Sequence, residues 1–366
     1  MNIGLVLHPY GDPTLGGSPG KFSPFVEGIM HGCPDDSFTC YLKGAPRDVR
    51  FSSGAAKVSY GFLGNASFWI TGALKLGSHD IYIFFSPVIP LFFRPKRSIL
   101  FAHDFAYLAL PPAGIWRRAL RPVLFFMHKT SLKKASVVLA ISQATKDDVV
   151  KHFGIAPERV KVMYLGFTPP TVAPAPVVVA EPYFLYVGSL KPRKNVGRII
   201  KGFAAFAKGE SAYALVLTGK PSGPYYDSLV SIAKEACTDK QVQFVGRVSD
   251  AEVAYLYQHA AALVFPTLYE GFGFPVIEAM HWGCPAITSS EGALKEVAGG
   301  AALLVDPYSP EDIASAMRQL CTDPSLREEL IRKGRVRAAE FTWDKSVQSM
   351  LGTLRELKGA LTQDLL

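Results

Sequence analysis

The sequence predicts an α/β protein built from two doubly wound, parallel-sheet domains. Its 366 residues exceed what one ordinary hydrophobic core accommodates, so two domains are expected. Short buried strand-like segments alternate with helical segments along both halves, which is typical of parallel sheets with helices on both faces. A proline-dense stretch at 168–182, TPPTVAPAPVVVAEP, separates the halves and is typical of a linker.

Six segments in each half are short, apolar and bounded by turn residues, and each is predicted to be a buried strand. In the first half they are 2–8, 38–43, 80–85, 98–103, 136–142 and 160–165. In the second half they are 183–189, 213–219, 242–247, 261–266, 285–289 and 301–306. A helix is predicted directly after Ser142, a residue type that caps helix N-termini.

These segments predict a first domain at 1–168, a linker at 169–182 and a second domain at 183–342. Two such domains joined by a linker create a cleft. Ligands of this fold class bind beyond the C-terminal ends of the strands.

The composition excludes several classes of protein. Apolar residues make up 49% of the chain and charged residues 19%, so the chain is not of the disordered class. Five scattered cysteines without a C-x-x-C pair argue against a disulfide framework or zinc site and favour a reducing compartment, the cytoplasm. The opening MNIGLVLHPYG lacks the basic start of a signal peptide, and proline interrupts the long apolar runs, so no signal or membrane-spanning helix is expected.

The positive charge is concentrated in the first half. Residues 1–170 hold 19 Lys and Arg against 10 Asp and Glu, whereas the remainder holds 20 against 21. Much of the excess lies in 115–134, IWRRALRPVLFFMHKTSLKK, where basic residues alternate with large apolar ones. This pattern fits either a peripheral surface for anionic lipids at the inner face of the membrane or the solvated face of a packed helix. No nucleic-acid-binding signature accompanies the charge, so nucleic acid is not expected as a partner.

The segment YEGFGFPVIE contains two carboxylates eight positions apart, Glu270 and Glu278. Gly-Phe-Gly-Phe-Pro between them predicts a loop, and the following residues predict a helix and then a strand. Glu270 is therefore expected on the loop and Glu278 in the opening turn of the helix. Backbone N–H groups at a helix start hold anions, and carboxylates accept hydrogen bonds from hydroxyls, so the segment suits a sugar beside a phosphate.

Other predicted strand ends carry residues suited to the same chemistry. Gly188 allows close backbone approach to a ligand, and Arg193 and Lys194 follow at a helix start, a suitable pyrophosphate clamp. His103 ends the strand at 98–103, where a lone histidine is more often structural than catalytic, although a position facing a cleft favours a functional role. A glycine-rich turn at 15–22, LGGSPGKF, lies where phosphate-facing loops occur, but it does not fit the dinucleotide motif G-x-G-x-x-G.

With these motifs in order, the chain resembles the retaining glycosyltransferases of family 4, which have the two-domain GT-B fold, and within them the WbaZ-like mannosyltransferases. The resemblance covers nearly the whole sequence and ends in a helix at about 343–366. It implies that the N-terminal domain, completed by this helix, binds a saccharide or lipid-linked acceptor, and that the C-terminal domain binds a nucleoside-diphosphate sugar.

The resemblance also implies site roles. Glu278 would bind the donor ribose, Glu270 the hexose, and Arg193 with Lys194 the diphosphate leaving group, while His103 would lie by the anomeric centre or the hydroxymethyl group. The remaining implied donor-binding residues are glycines and their neighbours in the motifs: Gly17, Gly20, Gly188, Ser189, Gly246, Arg247, Gly271, Phe272, Gly273, Phe274 and Pro275. Two departures from the family pattern are Ser189, where many relatives have Arg, and Ser18-Pro19 in the first loop.

The implied reaction moves a hexose, with mannose from GDP-mannose favoured, from a nucleoside diphosphate with retention, in cell-envelope polysaccharide synthesis. Neither a cofactor nor a metal is expected, because cations and N–H groups stabilise the leaving diphosphate and no Asp-x-Asp element is present. Two alternatives stay open at this point: a nucleotide-sugar epimerase-like enzyme and a non-catalytic sugar-nucleotide binding protein.

Overall fold

The computed structural model describes residues 1–8, 22–43, 51–54, 56–63, 68–110, 115–209, 212–236 and 238–363. The chain divides into two compact units. The first comprises Met1–Thr168 together with Thr342–Leu366, and the second comprises Pro169–Phe341.

The first unit contains a seven-stranded, all-parallel sheet. Its strands are β1 (Asn2–Val6), β2 (Ser37–Leu42), β3 (Lys57–Phe62), β4 (Ile81–Phe84), β5 (Ser98–Ala102), β6 (Val137–Ala140) and β7 (Val160–Val162). The strand order is β3-β2-β1-β4-β5-β6-β7. The winding reverses between β1 and β4, as in a doubly wound sheet.

Strand β3 was not predicted from the sequence. It pairs in parallel with β2 and lies at the end of the strand order. Its residues alternate between polar Lys57 and Ser59 and apolar Val58 and Tyr60, so it lacks the continuous apolar run by which the other strands were recognised.

In the described part of the first unit, five α-helices come before the second unit in the chain. They are α1 (Ser23–His31), α2 (Phe68–Thr71), α3 (Ala106–Ala109), α4 (Ile115–Lys134) and α5 (Gln143–Phe153). The predicted cap of α5 is present, because the Ser142 side chain accepts a hydrogen bond from the Thr145 N–H at 3.1 Å. The helix ends at Gly154, whose left-handed φ of 65° is typical of helix C-termini.

The second unit contains a six-stranded parallel sheet in the order β10-β9-β8-β11-β12-β13. Its strands are β8 (Tyr183–Tyr186), β9 (Ala214–Thr218), β10 (Val242–Gly246), β11 (Ala262–Phe265), β12 (Ala286–Ser289) and β13 (Leu303–Val305). Its helices are α6 (Val196–Ala207), α7 (Pro224–Glu235), α8 (Asp250–His259), α9 (Phe274–His281), α10 (Gly292–Ala298), α11 (Pro310–Thr322) and α12 (Pro324–Ala338). The central strands of both sheets, such as β4, β5, β8, β9, β11 and β12, are buried on both faces, which explains their continuous apolar runs.

The final helix, α13 (Trp343–Gln363), packs on α1 in the first unit. The two helices approach closely at Gly28, where a Cβ atom would lie 2.6 Å from the Val347 side chain. The Trp343 ring also packs against Phe25, with ring centroids 5.7 Å apart. At the other end of α13, Lys358 pairs with Asp36. The chain thus returns to its first unit after completing the second.

The proline-dense residues 169–182 form no helix or strand and belong to the second unit. They are attached to it by backbone contacts, such as the Ala175 N–H to the Ala251 carbonyl oxygen at 3.0 Å. Across the described residues, no helix is both long enough and apolar enough to span a membrane.

Candidate active site

The candidate donor site lies where β8 and β11 end. These two strands are adjacent although some 75 residues separate them along the chain, because the winding of the second sheet reverses between them. Such a reversal leaves a crevice beyond the strand ends, where α/β proteins bind ligands. The loops that follow the two strands are joined here, since the Leu268 N–H donates to the Arg193 carbonyl oxygen at 2.9 Å.

This junction brings Glu270 together with Arg193 and Lys194. One carboxylate oxygen of Glu270 lies 3.0 Å from Arg193 Nη1 and 2.6 Å from Lys194 Nζ. The side chains of Lys194 and Glu270 are only 10% and 11% exposed. Lys194 Nζ also lies 4.9 Å from the centre of the Phe265 ring, and Arg193 Nη1 donates to the Tyr269 carbonyl oxygen. Two cations thus share one carboxylate, which leaves the cluster with a net positive charge that suits a diphosphate.

Asn195 holds this cluster in place and was not singled out by sequence reasoning. It has a left-handed φ of 63°, rare for a residue other than glycine, and it is buried. Its side-chain amide donates to the carbonyl oxygens of Pro266 at 2.9 Å and Pro307 at 2.6 Å, and its side-chain oxygen accepts from Arg198. Asn195 directly follows Lys194, and its side chain therefore connects this part of the chain to the loops that follow β11 and β13. The only sequence signal was an Asn at a helix start, which tolerates this conformation.

The glycines after β8 and β9 permit a close backbone approach. Gly188 has a φ of 153° and its N–H donates to Thr218 Oγ1 at 3.1 Å. A Cβ atom on Gly219 would lie 2.4 Å from the Gly188 carbonyl oxygen, so only glycine fits there. Ser189 is exposed beyond Gly188. The glycines therefore leave backbone atoms, without side chains, along this edge of the crevice.

The predicted residues at the end of β10, Gly246 and Arg247, lie next to the same edge. The Gly246 carbonyl oxygen accepts a hydrogen bond from the Gly219 N–H at 2.7 Å, and Gly246 has a φ of 76°. Arg247 follows and is exposed. The ends of β8, β9 and β10 are thereby linked by hydrogen bonds, through the Thr218 hydroxyl between β8 and β9 and through the backbone between β9 and β10.

Helix α9 starts earlier than expected, and this corrects the predicted position of Glu278. Phe274 and Pro275 are its first two residues, because proline is tolerated in the first helical turn, where no N–H partner is required. Glu278 therefore lies in the second turn of α9, not in the opening turn. Gly273 precedes the helix with a φ of 135°, and a Cβ atom there would lie 2.6 Å from the Leu294 side chain.

The residues between the two carboxylates are packed into the second unit. Gly271, Phe272 and Gly273 are buried, whereas Phe274 and Pro275 are half-buried. The Phe272 ring packs edge-on against Phe341, with centroids 5.6 Å apart. The backbone N–H groups at the start of α9 are thus held by a rigid loop, as an anion site requires.

The carboxylate of Glu278 accepts a hydrogen bond from Tyr257 of α8. The Tyr257 hydroxyl lies 3.1 Å from Glu278 Oε2 and 3.3 Å from the Pro275 carbonyl oxygen. Burial, followed by the charge of Glu278, raises the pKa of the Tyr257 hydroxyl well above its usual value. The hydroxyl is therefore protonated at physiological pH and has a hydrogen to donate to the Glu278 carboxylate.

His103 is buried at the C-terminal end of β5 in the first unit. Its Nε2–H donates to the Phe85 carbonyl oxygen at 2.9 Å, and its ring stacks on Phe101. Burial lowers the pKa of His103 to about 4. The imidazole is therefore neutral at physiological pH, with its proton on Nε2 and an acceptor at Nδ1. A neutral imidazole can accept a hydrogen bond from a hydroxyl group, but it carries no positive charge.

A second buried histidine, His128, packs against Phe105 and Tyr107 in the first unit and was missed by sequence reasoning. His128 of α4 forms a 3.0 Å hydrogen bond through Nδ1 with the Tyr107 hydroxyl. Burial lowers its pKa to about 4, and the nearby charge of Asp104 acts in the opposite direction. Both histidines are therefore neutral parts of the first unit near the strand end at His103.

The predicted site residues separate into three groups. Those in the second unit gather at the ends of β8–β11 and the start of α9, as described above. His103 belongs to the first unit. Gly17 and Gly20 lie outside the described residues. Within the described ranges, no three His, Cys, Asp or Glu side chains lie close enough together to hold a metal ion.

The basic run 115–134 forms helix α4, whose described outer face combines basic and apolar residues. The exposed apolar side chains are Leu120, Val123, Leu124 and Phe126. Arg118 and Lys133 are also exposed, whereas the Arg121 guanidinium donates to the Leu108 carbonyl oxygen and Lys134 donates to that of Pro90. The side chain of Arg117 lies outside the described residues.

Two family models match this chain in succession. The model described as Glycosyltransferase Family 4 matches residues 47–169, and the model described as Glycosyl transferases group 1 matches residues 174–337. The chain belongs to the family 4 glycosyltransferases. The predicted enzyme class, a glycosyltransferase, is therefore confirmed.

Individual relatives of this glycosyltransferase agree with the family. It is 26% identical over 296 residues to the O-antigen chain mannosyltransferase B of Escherichia coli, covering 78% of this chain and 77% of the relative. It is 28% identical over 256 residues to the O-antigen chain mannosyltransferase RfbU of Salmonella typhimurium, covering 69% of each.

Solved structures confirm the fold of this glycosyltransferase. The sucrose-phosphate synthase of Thermosynechococcus elongatus superposes with a TM-score of 0.74 at 20% identity, covering 98% of this chain and all of the other. Together with the two parallel sheets, this similarity confirms the predicted GT-B fold class.

Proposed function

We propose that this glycosyltransferase moves mannose from GDP-mannose, with retention of anomeric configuration, to a saccharide or lipid-linked acceptor in the synthesis of a cell-envelope polysaccharide such as an O-antigen. The observation that carries the proposal is the junction of Glu270 with Arg193 and Lys194 at the reversal point of the second sheet. The names of the two mannosyltransferase relatives support mannose as the transferred sugar.

In this proposal the second unit holds the donor. Glu278 accepts hydrogen bonds from the ribose hydroxyls, and Arg193 and Lys194 hold the diphosphate. Glu270 contacts the hexose while its other contacts keep the two cations in place. Backbone N–H groups from Phe272 to Pro275 bind the sugar and phosphate, as helix starts do for anions.

The chemistry follows from where charge develops. As the bond from the anomeric carbon to the diphosphate breaks, negative charge grows on the leaving phosphate and positive charge on the sugar ring. Lys194 is nearly buried, Arg193 is half-buried, and Glu270 and Asn195 orient them, so in this proposal they stabilise the growing negative charge with little reorganisation. Positioning and electrostatics thus account for the catalysis without a metal ion or a cofactor.

The first unit is proposed to bind the acceptor and to contribute His103. Because its pKa of about 4 keeps His103 neutral, Nδ1 is an acceptor suited to a sugar hydroxyl, such as that of the hydroxymethyl group. The leaving diphosphate, which gains negative charge, is the proposed group that takes the proton of the acceptor hydroxyl.

We further propose that helix α4 contacts an anionic membrane surface. Its exposed apolar residues Leu120, Val123 and Phe126 share this helix with the exposed cations Arg118 and Lys133. An apolar face beside basic residues is the combination that binds the interface of anionic bilayers. A lipid-linked acceptor would be presented at such a surface.

A thermal-shift panel tests the donor assignment. GDP-mannose, UDP-glucose and ADP-glucose are each added to the protein with and without EDTA, because a ligand of the folded state raises the unfolding midpoint by mass action. We expect GDP-mannose to give the largest rise and EDTA to leave it unchanged. A larger rise with another donor would overturn the GDP-mannose assignment, and a rise that needs magnesium or manganese would overturn the metal-free mechanism.

A further inference from the structure

We infer that Tyr257 is a positioning residue of the donor site, one that fixes the carboxylate of Glu278 for the ribose. The inference rests on the proposed function, because it assumes that Glu278 binds the ribose hydroxyls. No sequence motif pointed to Tyr257, which lies in α8, outside the segment that holds the two carboxylates.

The Tyr257 hydroxyl contacts two acceptors on α9, and the contact with the Glu278 carboxylate is the shorter one. Its hydroxyl lies 3.1 Å from Glu278 Oε2, whereas the second acceptor, the Pro275 carbonyl oxygen, is 3.3 Å away. Both acceptors belong to α9, so the Tyr257 hydroxyl fixes the position of α8 relative to the helix that carries Glu278. The Tyr257 side chain is completely buried and therefore has one packed orientation.

Glu278 needs such a partner because of its place on the helix. It is half-buried in the second turn of α9, beyond the N–H groups that a helix start offers to a carboxylate. A glutamate side chain has three rotatable bonds, and a hydrogen bond to one oxygen restricts them. The hydrogen bond thus orients the Glu278 carboxylate toward two neighbouring ribose hydroxyls before the nucleotide binds. The Glu278 side chain then loses less conformational freedom on binding.

The chain provides a matched control for removing this hydroxyl. Tyr183 of β8 is equally buried, and its hydroxyl donates to the Leu256 carbonyl oxygen at 2.9 Å, in the same helix α8. Tyr257→Phe and Tyr183→Phe therefore each remove one buried hydroxyl that packs at α8. Only the first removes a donor to Glu278.

The test measures calorimetric affinities for GDP and 2′,3′-dideoxy-GDP with the native protein, Tyr257→Phe, Tyr183→Phe and Glu278→Ala. If UDP binds the native protein more tightly than GDP, UDP and its dideoxy form are used. We expect Tyr257→Phe to weaken binding of the ribonucleotide about tenfold, as expected for one hydrogen bond to a charged group, and to leave dideoxynucleotide binding nearly unchanged. Tyr183→Phe should leave both affinities nearly unchanged.

A kinetic measurement with the sugar nucleotide gives a second readout. Tyr257→Phe should raise KM and leave kcat unchanged, because the ribose contact is the same in the ground state and the transition state.

The outcomes separate the inference from the function on which it rests. If Tyr257→Phe weakens both nucleotides equally, or neither, Tyr257 has only a structural role and the inference is overturned while the ribose assignment stands. If Glu278→Ala also fails to discriminate between the two nucleotides, the ribose assignment of Glu278 falls, and the inference falls with it.

Discussion

Glu270 and Lys194 form a nearly buried ion pair, with 2.6 Å between the carboxylate oxygen and the ammonium nitrogen. They are 76 residues apart in the sequence and meet because β8 and β11 are neighbours at the reversal point of the second sheet. The same carboxylate oxygen also binds Arg193. The free enzyme thus holds both cations of the proposed diphosphate clamp on the residue proposed to contact the hexose.

Removing Glu270 should affect stability more than removing Lys194. Glu270→Ala leaves a buried lysine without its carboxylate and should lower the free energy of unfolding by about 3 kcal/mol. Lys194→Ala should lower it less, because Glu270 keeps its contact with Arg193. Urea unfolding of both variants measures the difference, and equal losses would show that the pair is not the dominant electrostatic contact of Lys194.

The same two variants should also differ in their affinity for GDP, and here Lys194→Ala should show the larger loss. GDP carries the diphosphate but no hexose, so Glu270→Ala should keep or increase GDP affinity while losing turnover. Lys194→Ala should weaken GDP binding and also lower turnover, because it removes a charge that faces the leaving group. Calorimetry checks this expectation. A Glu270→Ala variant that loses GDP affinity as Lys194→Ala does would mean that GDP binding depends on Glu270 holding the two cations in place, and would contradict the expectation that they bind the diphosphate without it.

Asn195 offers a test of how the clamp is positioned. Asn195→Gly keeps a residue that adopts the left-handed φ but loses the bonds to Pro266 and Pro307, whereas Asn195→Ala loses both features. We expect Asn195→Ala to be less stable than Asn195→Gly by about 1 kcal/mol, the cost of the left-handed conformation. Both variants should lose donor kcat/KM. Kinetics of Asn195→Gly equal to the native enzyme would show that its side-chain bonds do not position Lys194.

The overall architecture could be predicted because each element carries its own local signal. Twelve of the thirteen strands in the described residues and the cap of α5 at Ser142 are recognisable from short apolar runs and capping chemistry, and the Glu270 to Glu278 segment marks the site. β3 could not be recognised, because its polar residues Lys57 and Ser59 interrupt the apolar run at the edge of the sheet.

The contacts within the site could not be predicted, because they depend on which strands are neighbours. The junction of Lys194 with Glu270 and that of Tyr257 with Glu278 join segments far apart in the chain. The early start of α9 depends on Pro275, which the sequence pattern treats as a loop residue although it is acceptable in a first turn. Sequence spacing indicates which residue types are present, while the sheet order determines which of them meet.

The buried histidines predict a pH dependence of stability. His103 and His128 have pKa values of about 4 when folded, against about 6.5 in an unfolded chain. Between pH 6.5 and 4 the unfolded state therefore binds protons that the folded state does not, so stability is lost as the pH falls through this range. Each histidine should contribute a loss of about 2 kcal/mol between pH 7 and pH 5.

Urea unfolding of the native protein and of His103→Asn at both pH values measures this effect. The variant should lose less stability on acidification than the native protein, whatever its stability at pH 7. An equal loss in the two proteins would contradict burial of a neutral His103. Turnover of the native enzyme should likewise show no change near pH 6.5 that depends on His103.

The proposed membrane surface is tested by two pairs of charge substitutions in the first unit. Arg118→Gln with Lys133→Gln removes two exposed cations of α4, and Lys57→Gln with Lys151→Gln removes two exposed cations elsewhere. The α4 pair should weaken binding to anionic vesicles by about 2 kcal/mol, since each cation near the surface contributes about 1 kcal/mol. Sedimentation with phosphatidylserine vesicles measures the binding, which should also weaken with added salt.

The control pair should leave vesicle binding nearly unchanged, and neither pair should alter hydrolysis of the soluble donor. Equal loss in both pairs would indicate general electrostatic attraction of a basic protein and would not support a surface at α4. If the native chain does not sediment with the vesicles, α4 is an ordinary solvated helix. The donor site of the second unit is independent of that outcome.

The most direct test of the central claim is the anomeric configuration of the first sugar released from the donor. GDP-mannose is incubated with the enzyme in deuterated buffer, and proton NMR follows the anomeric signals before mutarotation equilibrates them. The proposed retaining transfer predicts that α-mannose appears first and that Lys194→Ala slows its appearance. First appearance of β-mannose, or an unchanged rate in Lys194→Ala, would contradict the account.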